Sequence, residues 1–138
     1  SAFKEHLRLI DGLDSFLEKV SALSIKMAIG SAAIPFNINF VLDNLNLHAY
    51  FGAIVSADDV VTSKPNPETF LKCAQLLNVN SADCVVFEDA PKGVEAAENA
   101  NIPCIVLTTM HEKEEFANYK NIVAFVKDYN DPILNQLF

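Results

Sequence analysis

Basic residues are scarce in this 138-residue chain: 10 Lys and Arg stand against 18 Asp and Glu, a formal net charge of −8. A nucleic-acid partner needs a basic face, so that class is disfavoured. A small phosphorylated ligand is not, because a few placed cations suffice for it. Glycine and proline are also few, 4 and 6 residues, which excludes collagen-like and low-complexity chains. Long apolar runs are missing. Cys84-Val85-Val86-Phe87, among the longest, is far too short to span a bilayer, so no membrane partner is expected. No basic stretch followed by an apolar one opens the sequence, so no secretory leader is expected. Cysteine is sparse, and Cys73, Cys84 and Cys104 show neither Cys-x-x-Cys nor zinc spacing. Each has an apolar or small neighbour. All three read as reduced core thiols, consistent with a cytoplasmic protein.

What is present is enough to build a core. Apolar residues make up 51% of the chain and charged residues 20%, which argues against disorder. The length is that of one domain, which buries roughly two thirds of the surface its unfolded chain exposes.

Ser1 to Leu9 reads as a connector or partial helix, broken by Asp11-Gly12. Leu13, Phe16, Leu17, Val20 and Leu23 then recur at helical spacing. Ile25 to Ile29 reads as a buried strand ending at Gly30-Ser31. A helix follows Pro35, with Phe36, Phe40, Val41 and Leu45 expected on one face. Ala53–Val55 is a brief strand, and residues 56–59 are a polar loop. A helix starts near Pro67, where proline's missing N–H costs nothing, with Phe70, Leu71, Ala74 and Leu77 facing one way. Cys84–Phe87 is the clearest strand, followed by a helix over Gly93–Asn99 and a strand over Ile102–Leu107. A polar helix over Glu112–Asn118, an edge strand over Ile122–Val126 and a last helical turn after Asp131-Pro132 complete the chain. Short apolar strands alternating with helices are the pattern of an α/β fold, a Rossmann-like parallel sheet with helices on both faces. Ligands in such sheets sit at the carboxyl ends of the strands.

Three strand-end segments carry chemistry. Ser31, entering a helix, offers a hydroxyl, and Ala32 after it a backbone N–H, to an anion; the plainer reading is a helix cap. Lys64, held between Ser63 and Pro65 with Pro67 beyond, presents one ammonium from a stiff loop; the plainer reading is a solvated lysine. Glu88-Asp89, at the end of the clearest strand, are adjacent carboxylates that need a cation and suit Mg²⁺; the plainer reading is Asp89 as a helix cap with Glu88 in solvent. His6, His48 and His111 match no triad or metal spacing. Glu112, Glu114 and Glu115 with Lys113 read as a solvated face, and Asp58-Asp59 as a plain loop.

The order and spacing of the three segments resemble the haloacid dehalogenase-like hydrolase superfamily, in its β-phosphoglucomutase and sugar-phosphatase branch. Lys64-Pro65-Asn66-Pro67-Glu68-Thr69-Phe70 resembles the third motif of that branch, and Phe87-Glu88-Asp89-Ala90-Pro91-Lys92-Gly93-Val94-Glu95-Ala96-Ala97 the fourth. Ser31 matches the hydroxyl residue of the second. The resemblance runs from about Asp11 to Val126. It implies that Ser31, Ala32 and Lys64 bind the transferred phosphoryl group, that Lys64 is catalytic, and that Glu88 and Asp89 hold Mg²⁺. The acidic pair favours phosphoryl transfer over dehalogenation, and Ala33 leans toward a phosphatase rather than a mutase.

The family's first motif, an Asp-x-Asp-Gly loop carrying the nucleophile and the general acid/base, has no counterpart in this sequence. Asp11-Gly12-Leu13-Asp14 is a decoy: Leu9 stands where the nucleophile belongs. Asp11-Gly12 reads instead as the turn returning from a cap domain. The resemblance therefore implies one incomplete core domain over 1–138, a carboxyl-terminal part without the central first strand, the nucleophile or the cap. The expected function is Mg²⁺-dependent phosphoryl transfer on a small phosphorylated metabolite, a sugar phosphate, through an aspartyl-phosphate whose Asp lies outside the chain. The rival is a non-catalytic binding or assembly domain on the same fold. A receiver-like domain is disfavoured, because Glu88-Asp89 comes too late in the chain.

Overall fold

A computed structural model describes residues 11–138; the connector expected over Ser1–Leu9 lies outside the described residues. Helix α1 spans Leu13–Ala22, and β1 spans Ala28–Gly30. Then come α2 over Pro35–Leu45, β2 over Ala53–Val55 and α3 over Glu68–Leu77. Strand β3 covers Val86–Glu88, α4 Pro91–Asn99 and β4 Cys104–Leu107. Strand β5 covers Ile122–Val126 and α5 Leu134–Leu137. The fold is α/β and all strand pairing is parallel, as the alternation of elements predicts.

The strands form two sheets. Strands β1 and β2 pair in one, and β3-β4-β5 in the other. Among the described residues no backbone hydrogen bond joins β1 to β3. A seam therefore separates β1 from β3.

Period-two alternation decides what each sheet face carries. In β4, Cys104 and Val106 pack with Val86 of β3 and Val94 and Ala97 of α4. Ile105 and Leu107 turn the other way, to Val126, Leu134 of α5 and Phe16 of α1. All four β4 residues are buried, so this strand has helices on both sides. The smaller sheet follows the same rule. Ile29 and Ile54 face Leu17 of α1 and Ile38 and Leu42 of α2, while α3 packs on the opposite face beside Gly30. Helix α1 thus spans the seam, giving Leu17 to one sheet and Phe16 to the other. Phe16 meets Phe87 edge to face at 5.2 Å between centroids. Burying such residues contributes roughly 1.5–3 kcal/mol each.

Several boundaries and faces differ from expectation. Strand β1 begins at Ala28 rather than Ile25, because its ladder with β2 runs only from Ala28↔Ala53 to Gly30↔Val55. Likewise β3 is Val86–Glu88 rather than Cys84–Phe87, and β4 starts at Cys104 rather than Ile102. On α2 the buried stripe is Ile38 and Leu42, whereas Phe36 is 72% exposed. On α3, Cys73 takes the buried place expected for Leu71. The polar helix over Glu112–Asn118 is a single 3₁₀ turn, Lys113–Phe116, closed by reciprocal hydrogen bonds between Glu112 and Glu115. Strand β5 matches its expected range and is an edge, with a register shift where it meets Cys104 and Ile105. All three cysteines are free, Cys73 and Cys104 buried and Cys84 half-buried.

Candidate active site

The site lies where β1 and β3 end, on either side of the seam. Gly30 closes β1. A β-carbon there would sit 2.8 Å from Thr69 Cγ2 and 3.2 Å from Cys73 Sγ, so glycine lets α3 approach the strand end. Ser31 follows. Its N–H donates to Val55 O at 2.9 Å, and its Oγ accepts the Ala33 N–H at 3.0 Å. The expected helix cap is not made: the residue preceding α2 is Ile34. Between the two engaged amides, Ala32 N–H has no acceptor among the described residues.

Lys64 is not a solvated lysine. Its side chain is 16% exposed, and its ammonium donates to Gly30 O at 3.2 Å and to Glu88 Oε2 at 2.9 Å. It also lies 4.7 Å from the centroid of the Phe70 ring, a cation–π distance. One ammonium therefore ties the end of β1 to the end of β3 across the seam. The Lys64–Pro65 peptide is cis, and Asn99 Nδ2 of α4 donates to Pro65 O at 3.0 Å.

Glu88 turns inward for a reason legible in the strand. It shares the Val86 face, which α4 covers, and its side chain is 13% exposed. Its Oε1 accepts the Asp89 N–H at 3.2 Å. Asp89 does not cap α4, because the residue preceding that helix is Ala90 and no side chain caps it. The carboxylate of Asp89 makes no ion pair among the described residues.

A pocket of about 140 Å³ opens beside the ammonium, lined by Ser31, Ala32, Ser63, Lys64 and Thr69, with Val60 and Val61 on its outer wall. A larger hollow of about 340 Å³ runs along β5 between Lys113 and Phe125 and contains none of these groups. Around the site the titrations follow burial. The Cys104 thiol is pushed up to about 12 by burial, with the Glu88 charge adding. Cys73 is pushed up to about 11 by burial, opposed by Lys64. The Tyr129 phenol is raised by burial first, then by Asp89 and Glu88.

Outside this site, His48 pairs with Asp43 at 2.8 Å and His111 with Glu115 at 3.1 Å, both toward solvent. Asp59 accepts from Ser56 N and Oγ at 2.8 and 2.9 Å. Ser63, Thr69 and Phe70 stood in or beside the quoted motifs without a role of their own, and Asn99 escaped the sequence reading. Their signal, polar residues and one aromatic ring near Lys64, becomes specific only once the two strand ends meet.

Parallel strands thus end around one lysine, Lys64, which meets Gly30 O and Glu88 and lines a pocket with Ser31. The sequence profile of the haloacid dehalogenase-like hydrolases matches residues 1–107. The chain belongs to that family. It is 43% identical over 79 residues to the fructose-1-phosphate phosphatase YqaB of Escherichia coli, covering 57% of this chain and 42% of that protein. It is 38% identical over 100 residues to a phosphorylated carbohydrates phosphatase of Thermotoga maritima, covering 72% of this chain and 46% of that protein. Among solved structures, a β-phosphoglucomutase from Clostridium difficile superposes with a TM-score of 0.79 at 29% identity, covering 93% of this chain and 55% of that one. The chain thus spans about half the length of the relatives it matches.

Proposed function

We propose that these residues form the core, incomplete as a domain, of a Mg²⁺-dependent cytoplasmic phosphatase or phosphomutase acting on a small phosphorylated metabolite, a sugar phosphate. The observation that carries this reading is the Lys64 ammonium, 2.9 Å from Glu88 and 3.2 Å from the Gly30 carbonyl, at the wall of a pocket that Ser31 and Ala32 share. The activities named for these relatives support the substrate class.

In this proposal each group has one task. The Ser31 oxygen already accepts the Ala33 N–H, so its own O–H is left to donate to an anion. The unengaged Ala32 N–H donates beside it. Lys64, oriented by Glu88 and Gly30, is the catalytic cation that meets the charge developing on the phosphoryl oxygens. Glu88 and Asp89 would hold Mg²⁺. The described residues contain no cluster of three or more His, Cys, Asp or Glu side chains placed for a metal. Two hard carboxylates still fit this ion, which is commonly held by one or two carboxylates with water and phosphate oxygens completing the shell. Bound there, Mg²⁺ supplies charge neutralisation to the phosphoryl group. The nucleophile is proposed to be an Asp outside the 138 residues, forming an aspartyl-phosphate, since no Asp-x-Asp-Gly is among them.

Titration with inorganic phosphate, with and without Mg²⁺, tests the reading by backbone amide NMR. Saturable shifts centred on Ser31 and Ala32, tightened by Mg²⁺ and lost in Lys64→Ala, are expected. Absence of saturable shifts at those two amides removes the pocket from any phosphoryl-transfer role.

A further inference from the structure

The outer wall of the pocket is held by a carboxylate that the proposed chemistry does not use. Glu68, the first residue of α3, sends its side chain back over the loop that precedes Lys64. Its Oε1 accepts the N–H of Thr62 at 3.0 Å and that of Val61 at 3.2 Å, and its Oε2 accepts Val61 N–H at 3.0 Å. Its own N–H receives a cap from Asn66 Oδ1 at 2.9 Å.

The loop needs this hold. Val61 is 95% exposed, so packing does not fix it, and residues 60–63 lie outside any helix or strand. Yet Val60, Val61 and Ser63 line the pocket, and Ser63 leads directly into Lys64. Charge-assisted bonds from a carboxylate to backbone N–H groups are about twice as strong as neutral ones. The same bonds hold the Glu68 carboxyl below its ordinary range, Val61 contributing most and Thr62 next, with Lys72 adding a smaller pull. They also engage the N–H of Val61, which lines the pocket, and that of Thr62 next to it.

We propose that Glu68 is a positioning residue for the phosphate pocket, fixing the Val61–Thr62 segment, whose Val61 lines the pocket, and, through it, the seat of Lys64. This rests on the reading of the pocket as a phosphoryl site. A Gln at this position keeps an oxygen at the Oε1 place, which alone reaches both N–H groups. Glu68→Ala keeps neither acceptor.

The test measures inorganic phosphate affinity and amide hydrogen exchange in the wild type, Glu68→Ala, Glu68→Gln and Lys64→Ala. Expected is an affinity about tenfold weaker in Glu68→Ala, the worth of roughly 1.4 kcal/mol, with Gln restoring most of it. Exchange at the Val61 and Thr62 amides should accelerate in Glu68→Ala and stay slow in Glu68→Gln. Unfolding by urea followed alongside shows that the Ala variant is folded; should it not be, the Gln variant carries the test, since unprotected Val61 and Thr62 amides in it refute the brace. Wild-type affinity in a folded Glu68→Ala, with binding lost in Lys64→Ala, overturns the positioning role and leaves the pocket reading standing. No phosphate binding by the wild type overturns both.

Discussion

Gly93 sits so close to the carboxyl group of Glu88 that a β-carbon at this position would overlap the Glu88 side chain. Glycine in the first turn of α4 is there for that carboxylate rather than for the helix. Elsewhere in a helix, Gly→Ala gains up to about 1 kcal/mol. Here the sign should reverse. Gly93→Ala is expected to push Glu88 out of its place, break the Lys64 pair and lower stability by about 1–3 kcal/mol. Urea unfolding checks it, and a gain in stability would show that Glu88 moves aside freely.

The ion pair itself can be dissected. Lys64→Met leaves the Glu88 carboxylate, 13% exposed, without its partner, at a cost of about 1–3 kcal/mol. Adding Glu88→Gln should return part of that loss, because an unpaired charge no longer has to stay half-desolvated. Phosphate binding should remain lost in both. A double-mutant cycle by chemical denaturation reads the coupling, and strict additivity of the two changes would show that the 2.9 Å pair carries none.

The chain of 138 residues should release no phosphate from an aryl phosphate or from fructose 1-phosphate, with or without Mg²⁺. Positioning groups such as Lys64 and Ser31 cannot replace the attacking carboxylate, and no Asp-x-Asp-Gly is present. A phosphate-release assay on the purified chain decides. Turnover that scales with enzyme and disappears in Lys64→Ala would mean that another residue supplies the nucleophile.

The buried thiols set a behaviour at high pH. Burial raises Cys73 to about 11 and Cys104 to about 12, from an ordinary value near 9. The folded state therefore holds protons that the unfolded state has released. Their contribution is fully present below about pH 9 and is lost as pH rises toward 11 and 12. Stability measured by urea should fall across that window. At pH 8 a thiol reagent should modify the half-buried Cys84 first and the two buried thiols only on unfolding.

The sequence carried the fold class and the meeting of Lys64 with Glu88 further than it carried the edges of the elements. Ala53–Val55 and Ile122–Val126 could be read directly, because polar or turn-forming residues flank them. Ile25 could not be separated from β1, since apolar character does not say where a ladder starts; its partner register does. On α2, Phe36 and Phe40 form as good a helical stripe as Ile38 and Leu42. The choice between them belongs to α1 and β1, which meet Ile38 and Leu42. Lys64, Ser31 and Glu88 were legible because they stand at strand ends in a fold whose ligands gather there. Glu68 and Asn99 were not. They act on backbone groups of another segment, and nothing in a one-dimensional pattern marks which N–H or carbonyl a side chain will reach.

The seam between β1 and β3 divides the strands of this chain into two separate ladders. Each sheet has its own hydrophobic cluster, and what crosses between them is helix α1, the packing of α3 on α4 and the Lys64 bridge. Backbone ladders transmit order between neighbouring strands, and here the ladder is interrupted. Opening free energies should therefore fall into two groups, the amides of β1 and β2 exchanging together at lower cost than those of β3, β4 and β5. A strand that paired with both facing edges would add a continuous run of hydrogen bonds from β2 to β5. It would turn two loosely coupled halves into a single melting unit, so that completing the site and locking the scaffold become the same event.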